Sequence, residues 1–221
     1  MATMYEMIMD LPLFKGVSKV LVSQFLEKTN VDFLNYESGE TIMTEGEEVT
    51  MVRFVISGAI RLTHTFSTLS ITVKETCGSG TVLGADRLYG ISTLYPCDGE
   101  AVGKTSLMQF SKEQYVSLIQ SNRIYMLNFF NYLSLRAQRP IDLLLGYPGG
   151  DLRARLSLLI KVITQPGAKE IEIEASDEAL ARFGGISIEE ALEWKTKARR
   201  RGLIKCDGDR MRIASKRTFL N

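Results

Sequence analysis

The sequence predicts an α+β chain: a jelly roll of short strands, one long helix, and a helical module closed by a β-hairpin. Three observations predict it. Between residues 31 and 111, apolar and polar residues alternate with period two and are interrupted at short intervals by glycine-bearing turns. Residues 120–145, QSNRIYMLNFFNYLSLRAQRPIDLLL, contain no glycine and space their apolar residues as a helix does. Beyond residue 151 the pattern is helical again, with capped starts, and it closes in two alternating runs around Asp207-Gly208.

Taken in order, residues 4–28 read as short helices interrupted at Leu11-Pro12 and Gly16, with Val20, Leu21, Phe25 and Leu26 as an apolar stripe. The strands expected are Val31–Tyr36, Thr41–Met43, Met51–Ile56, Ala59–Phe66, Ser70–Cys77, Val82–Leu83, Glu100–Thr105 and Leu107–Ser111. On the run from Ile60 to Phe66, the only histidine, His64, shares a side with Ile60, Leu62 and Phe66, where a hydrogen-bonded core histidine is commoner than a haem ligand. The long helix carries a heptad row, Leu127, Phe130, Ser134, Ala137, Ile141 and Leu144, and a second row, Met126, Phe129 and Leu133. One stripe docks a helix on its own domain; a second suggests a partner, the alternative being a buried core helix of one domain. Pro140 predicts a kink, since it removes one helical hydrogen bond and crowds the preceding turn. The helix ends at the breaker run Gly146-Tyr147-Pro148-Gly149-Gly150. A further helix then runs from Asp151 to Ile163, and Glu170–Glu174 alternates as a strand. Ser176-Asp177-Glu178 opens the next helix, which closes at Gly184-Gly185. A capping box at Ser187-Ile188-Glu189-Glu190 opens the last, which ends at Gly202, and Leu203–Cys206 with Arg210–Ala214 forms the hairpin. The expected division is a jelly roll over 1–119, a long helix over 120–145, and a third module over 151–221.

The totals exclude several classes. No run reaches the roughly 18 apolar residues of a membrane span, and the N-terminal MATMYEMIMDLPLFKG lacks the basic flank of a signal peptide. Three scattered cysteines fit neither a disulfide framework nor a metal or iron–sulfur spacing, which suggests a reduced, cytoplasmic setting. With one histidine, no HExxH, no paired-cysteine site and no nucleophile elbow, an enzyme is not expected. Gly78-Ser79-Gly80-Thr81-Val82-Leu83-Gly84 has the wrong spacing for a dinucleotide fingerprint.

The net charge of +1 hides an asymmetry: residues 170–193 carry one basic and eight acidic side chains, and residues 194–217 carry ten basic and two acidic. Helix, glycine turn, helix and hairpin is the order of a winged helix-turn-helix, and basic charge gathered on such an element marks a polyanion partner. Lys195, Lys197, Arg199, Arg200, Arg210 and Arg212 are the expected phosphate contacts, with Ser187, Ile188 and Glu189 facing bases. Acids at a helix start and bases at its end also offset the macrodipole, but that does not account for a basic hairpin.

The chain resembles the family of the cyclic-AMP receptor protein and the fumarate–nitrate reductase regulator, bacterial transcription regulators, from about Leu13 to Phe219. The matching pieces are Leu13-Phe14-Lys15-Gly16, Ser38-Gly39-Glu40, Glu45-Gly46-Glu47, the run from Phe54 to Ile60, and Gly80 followed by Leu83-Gly84. In the last module Ser176 to Ile204 matches without a gap and ends in Arg201-Gly202-Leu203-Ile204. The resemblance implies that the jelly roll is a cyclic-nucleotide-binding-like sensor, that the long helix is a dimerisation helix joining a homodimer, and that the last module is a winged helix-turn-helix on two-fold symmetric double-stranded DNA. It also implies RNA polymerase and a small-molecule effector as further partners.

Two departures qualify what the resemblance implies. Family members that bind cyclic AMP have Gly-Glu and Arg-Ser/Thr-Ala in the phosphate turn, where Gly84-Ala85 and Gly99-Glu100-Ala101 stand here. The lost arginine and the added carboxylate remove a charge-assisted clamp, and Pro140-Ile141 offers a purine no side-chain hydrogen bond. Cyclic AMP in the usual pose is therefore not expected, and no four-cysteine iron–sulfur set is present. Haem, another small molecule or no ligand are left open, with Leu62, His64, Gly84, Ala85, Gly99, Glu100 and Ala101 as pocket candidates. The recognition helix differs too, with Ile188, Glu189 and Glu193 where Arg, Glu and Arg are usual, and Trp194 is expected to pack the two helices. The alternative reading is a sensor dimer whose degenerate last module contacts protein rather than DNA.

Overall fold

A computed structural model describes residues 4–147 and 149–220. Pro148 of the expected breaker run, and the chain ends that bound the first and last expected modules, lie outside them. The contacts divide the chain into two units: Met1–Ile60 with Gly78–Gln138, and Arg61–Cys77 with Arg139–Asn221. Residues 61–77, grouped by the sequence with the first module, thus belong with the last.

The first unit begins with helices α1 (Met4–Met9) and α2 (Lys19–Lys28), with a 3-10 turn at Pro12–Phe14 between them. The buried stripe of α2 is centred on Val22 and Phe25, while Val20, expected inside, is 65% exposed. An antiparallel, jelly-roll-like sheet follows. Strand β1 (Asp32–Tyr36) runs against β6 (Asp98–Ser111), with Asp32 opposite Gln109 and Tyr36 opposite Thr105. Strand β2 (Thr41–Met43) also pairs with β6, and β5 (Val82–Leu83) pairs with β3 (Met51–Phe66) at Arg53 and Phe54.

Two expected breaks are not breaks. Strand β3 continues through Ser57-Gly58, and β6 continues through Ser106. Gly58 has φ +80°, and a Cβ there would collide with Lys104 O. The buried Thr105 hydroxyl donates to Ala59 O (2.8 Å) and accepts from Ala59 N (3.3 Å). The glycine is therefore a close approach inside the sheet, pinned by a side chain, and not a turn.

The core of this unit is a chain of aromatic rings. Phe14 and Phe25, Phe25 and Phe110, and Phe54 and Phe110 lie 5.5, 5.3 and 5.6 Å apart. Tyr115 and Tyr125 extend it onto the helices. Tyr115 belongs to a helix absent from the expectations, α3 (Lys112–Ser121), opened by a Ser111–Gln114 capping box. The long helix accordingly starts later than expected: α4 is Arg123–Leu145. Asn122 is extended (φ −155°, ψ 139°) and its Oδ1 accepts from Ile124 N, so one residue ends α3 and opens α4. Helix α4 contains Pro140 within its span.

The second unit joins the distal half of β3 and β4 (Ile71–Gly78) to β7 (Glu170–Glu174), β9 (Arg210–Ile213) and β8 (Ile204–Asp207), in that order across one antiparallel sheet. Five residues pair β4 with β7, from Thr72 opposite Glu174 to Thr76 opposite Glu170. On one side Ile71, Val73, Ile171, Ile173, Met211 and Ile213 are buried. They sit in a core with Leu152, Leu156 and Ile160 of α5 (Leu152–Ile163), Leu180 of α6 (Asp177–Gly184), and Phe219 of α8 (Lys216–Leu220), a short helix the sequence did not suggest. Helix α7 (Ile188–Arg200) turns Ala191 and Ala198 inward; Trp194, expected between the helices, is only half-buried.

One carboxylate stands among these apolar residues. Glu75 of β4 is 1% exposed. Its Oε1 accepts from His64 Nε2 (3.1 Å), and its Oε2 accepts from Gln165 N (2.7 Å) and Cys77 Sγ (3.3 Å). Three donors offset the desolvation of a buried charge. Replacing Glu75 with Ala orphans them and should cost about 3 kcal/mol in denaturant unfolding, with Glu75→Gln, which keeps one acceptor oxygen, costing less. Equal stability of wild type and Glu75→Ala would show the node to be idle.

Candidate functional site

The candidate site rests on α6, α7 and the β8–β9 hairpin. Helix α6 starts at a Ser176 cap that accepts from Ala179 N, and it ends at Gly185 in the left-handed region (φ 65°). Only glycine adopts that turn at little cost, so the chain can reverse within two residues. Ser187 then accepts from Glu190 N (3.1 Å) while the Glu190 carboxylate accepts from Ser187 N (2.9 Å). Glu190 is thereby a capping group. Ser187, Ile188 and Glu189 lie together and exposed on the first turn of α7. The backbone N–H of Glu189 and the Ser187 hydroxyl hold the Glu189 carboxyl below the usual range, so it is an anion there. Ile188 and Leu192, one turn apart, are 41% and 45% exposed.

The expected phosphate contacts do not form one uniform set. Lys195 is drawn onto α6 by Asp177 (2.9 Å). Lys197 pairs with Glu193 one turn earlier (2.6 Å) and lowers that carboxyl's pKa. Arg210 meets Glu174 (3.2 Å) and Arg212 meets Glu172 (3.5 Å) across the sheet. Arg199 and Arg200 are exposed at the end of α7, and among the described residues no carboxylate pairs with them. The neighbouring Arg201 is exposed as well. Sequence reasoning missed the strand acids as partners, although the alternation Glu-Ile-Glu-Ile-Glu opposite Arg-Met-Arg-Ile carries that signal.

The pocket candidates separate between the units. Leu62 and His64 lie in the second, Leu62 buried and His64 bonded to Glu75. Gly84, Ala85, Gly99, Glu100 and Ala101 lie in the first. Gly84 has φ +84°, and a Cβ would lie 2.6 Å from Val49 Cγ1. Ala85 and Ala101 are each 2% exposed, and Gly99 and Glu100 pair with β2. Next to Ala85, Asp86 binds Arg136 of α4 through Nε (2.9 Å) and Nη2 (2.7 Å), an ion pair the sequence did not suggest. Among the described residues, no cluster of His, Cys, Asp and Glu is arranged to hold a metal ion, and no helix is long and apolar enough to cross a membrane.

Helix α4 separates its two rows. Phe129 packs edge-on against Tyr115 (5.5 Å), Met126 and Leu133 are half-buried, and Asn128 donates to Leu13 O and Lys15 O. These contacts dock the helix on its own unit. Every residue of the heptad row, Leu127, Phe130, Ser134, Ala137, Ile141 and Leu144, is exposed. Phe130 and Leu144 reach 52% and 59%.

Glu174 joins β4 to β9, its two oxygens taken by Lys74 (2.9 Å) and Arg210. Those hydrogen bonds, Lys74 first, lower its pKa. The folded value lies below the unfolded one, so the pairing stabilises above the ordinary glutamate range and is lost as pH falls through the folded value. A carbon-13 titration of Glu174 should give a midpoint below that of an ordinary glutamate, rising in Lys74→Gln and in Arg210→Gln. A midpoint indifferent to both substitutions would show the cations to be disengaged.

Residues 33–122 match the family described as Cyclic nucleotide-binding domain. That stretch runs from β1 through α3. Among curated proteins no sequence matches this one. Among solved structures, the Thermus thermophilus catabolite activator protein is 22% identical, with a TM-score of 0.52 over 94% of this chain and 96% of that one. DNR from Pseudomonas aeruginosa is 20% identical, with a TM-score of 0.46 over 96% and 94%. The c-di-GMP responsive regulator CLP of Xanthomonas campestris is 18% identical, with a TM-score of 0.44 over 90% and 100%. The first of these shows a shared fold. Residues 33–122 are thus similar to cyclic nucleotide-binding domains, and the fold of the first structure extends along nearly the whole chain.

Proposed function

We propose that the protein is a homodimeric transcription regulator that binds double-stranded DNA through a winged helix-turn-helix formed by α6, α7 and the β8–β9 hairpin. One observation carries the reading: α6, the left-handed turn at Gly185, the capped α7 and the hairpin follow one another as a brace, a turn, a recognition helix and a wing. The fold shared with a catabolite activator along nearly the whole chain supports it. In this reading Arg199 and Arg200 contact phosphates first, and Ser187, Ile188 and Glu189 face the bases. Ile188 suits a thymine methyl and Glu189 a cytosine amino group.

The sensor is degenerate toward cyclic nucleotides. Gly84, Ala85, Gly99 and Ala101 carry no cation, and Glu100 is an acid, so a cyclic phosphate meets none of the charge-assisted donors it needs. Dimerisation uses the exposed heptad row of α4, whose apolar residues Leu127, Phe130, Ile141 and Leu144 each leave about half of their surface uncovered by the described residues. The second reading, a last module that binds protein, is favoured by Ile188 and Leu192, an exposed apolar pair flanked by Glu189 and Glu193.

Selection of bound fragments from a genomic library should yield a two-fold symmetric motif. Its affinity should fall linearly with log salt, at a slope of about −0.9 per phosphate neutralised. A chain that binds no fragment, or binds without that slope, favours the protein reading. Phe130→Glu combined with Ala137→Glu should sediment as a folded monomer, because charge in a heptad seam is unpaired and desolvated. A variant that stays dimeric would place the seam elsewhere.

A further inference from the structure

The outer face of the second unit's sheet carries charge in alternating columns. Lys74 stands on β4, Glu170, Glu172 and Glu174 on β7, and Arg210 and Arg212 on β9. In register, Arg210 lies directly opposite Glu174 and Arg212 directly opposite Glu172. Glu170 lies opposite Thr76, beyond the end of the β7–β9 pairing, and among the described residues no cation pairs with it. The carboxylates are the better anchored members: the Glu172 and Glu174 side chains are 23% and 35% exposed, against 63% and 60% for Arg212 and Arg210. Between the columns runs a polar cleft of about 240 Å³, lined by Arg61, Lys74, Arg210 and Arg212 with Glu170 and Glu172.

We propose that Glu172 and Glu174 act as internal stand-ins for DNA phosphate, masking the wing arginines Arg212 and Arg210 and so setting how strongly the wing grips DNA. This rests on the DNA-binding reading and names a control built into that site. A guanidinium recognises a carboxylate and a phosphate with the same planar donors, so one arginine face serves one anion at a time. Exposed pairs of this kind are weak, and their release costs a duplex a factor of about two to five each. That is small enough for a good operator to overcome and large enough to discriminate against random sequence. Arg199 and Arg200 carry no such mask, so the wing and the end of α7 respond differently to the same duplex.

The test is a double-mutant cycle read in DNA affinity and salt slope, using the full-length chain and its selected operator. Glu174→Gln, compared in a Lys74→Gln background so that Arg210 is the one cation released, should tighten binding by about two- to five-fold and steepen the salt slope by about 0.9, one newly engaged phosphate contact. Glu170→Gln, which removes the same charge from the same column without freeing an arginine, should change the slope much less. Arg210→Gln should weaken the wild type less than two-fold and the Glu174→Gln variant about five-fold, a non-additivity that bulk charge does not produce. The Glu172 and Arg212 cycle repeats the test independently. Additive effects, or a Glu170→Gln variant equal to Glu174→Gln, overturn the masking while leaving DNA binding in place. Absence of DNA binding in wild type and variants alike overturns both.

Discussion

A single buried carboxylate holds the second unit in its arrangement. Glu75 lies on the apolar inner face of its sheet, opposite Ile171, and burying it alone would cost several kcal/mol. It is tolerated because Gln165 N, His64 and Cys77 converge on its two oxygens from the loop before β7, from β3 and from β4 itself. Each donor comes from a different place in the chain, so the charge is satisfied only when the β3–β4 hairpin and the α5–β7 loop are in register. Lys216 of α8 adds to that loop by donating to Gln165 O, Pro166 O and Ala168 O, and burial lowers its pKa.

Because side chains alternate along a strand, fixing Glu75 inward fixes Lys74 outward. The same alternation on β7 sets Ile171 and Ile173 into the core and presents the three glutamates on the outside. The inner face therefore decides stability, and the outer face decides which charges are available to a partner. At the turn of the hairpin, Arg182 of α6 reaches Leu69 O (3.1 Å) and Ser70 Oγ (3.0 Å), so α6 is fastened to the same hairpin.

In the first unit the organising constraint is packing. The aromatic rings from Phe14 to Tyr125 link the N-terminal turn, the sheet, α3 and α4, and Asn128 and Arg136 tie α4 to the 3-10 turn and to Asp86. A helix held so firmly along one side has its opposite row free, and that row is the heptad row. Its apolar exposure follows from the docking of the other side.

Local signals in the sequence determined most of the element map. Capping residues Ser176 and Ser187, the left-handed Gly185, and the period-two runs of β2, β5 and β7 depend on neighbours a few residues apart, and each stands where that chemistry puts it. The heptad row of α4 was legible for the same reason, since it is a property of one helix. The start of α4 was misread because helical spacing alone does not register an extended Asn122, although the Ser111–Gln114 box marked the helix before it. Gly58 read as a turn because its role depends on Lys104 and Thr105, more than forty residues away. The pairing of β4 with β7, the burial of Glu75 and the pairing of Arg210 and Arg212 with Glu174 and Glu172 were settled only by tertiary structure. Each joins segments about a hundred or fewer residues apart through a sheet register, and register is a relation between strands that neither strand contains by itself.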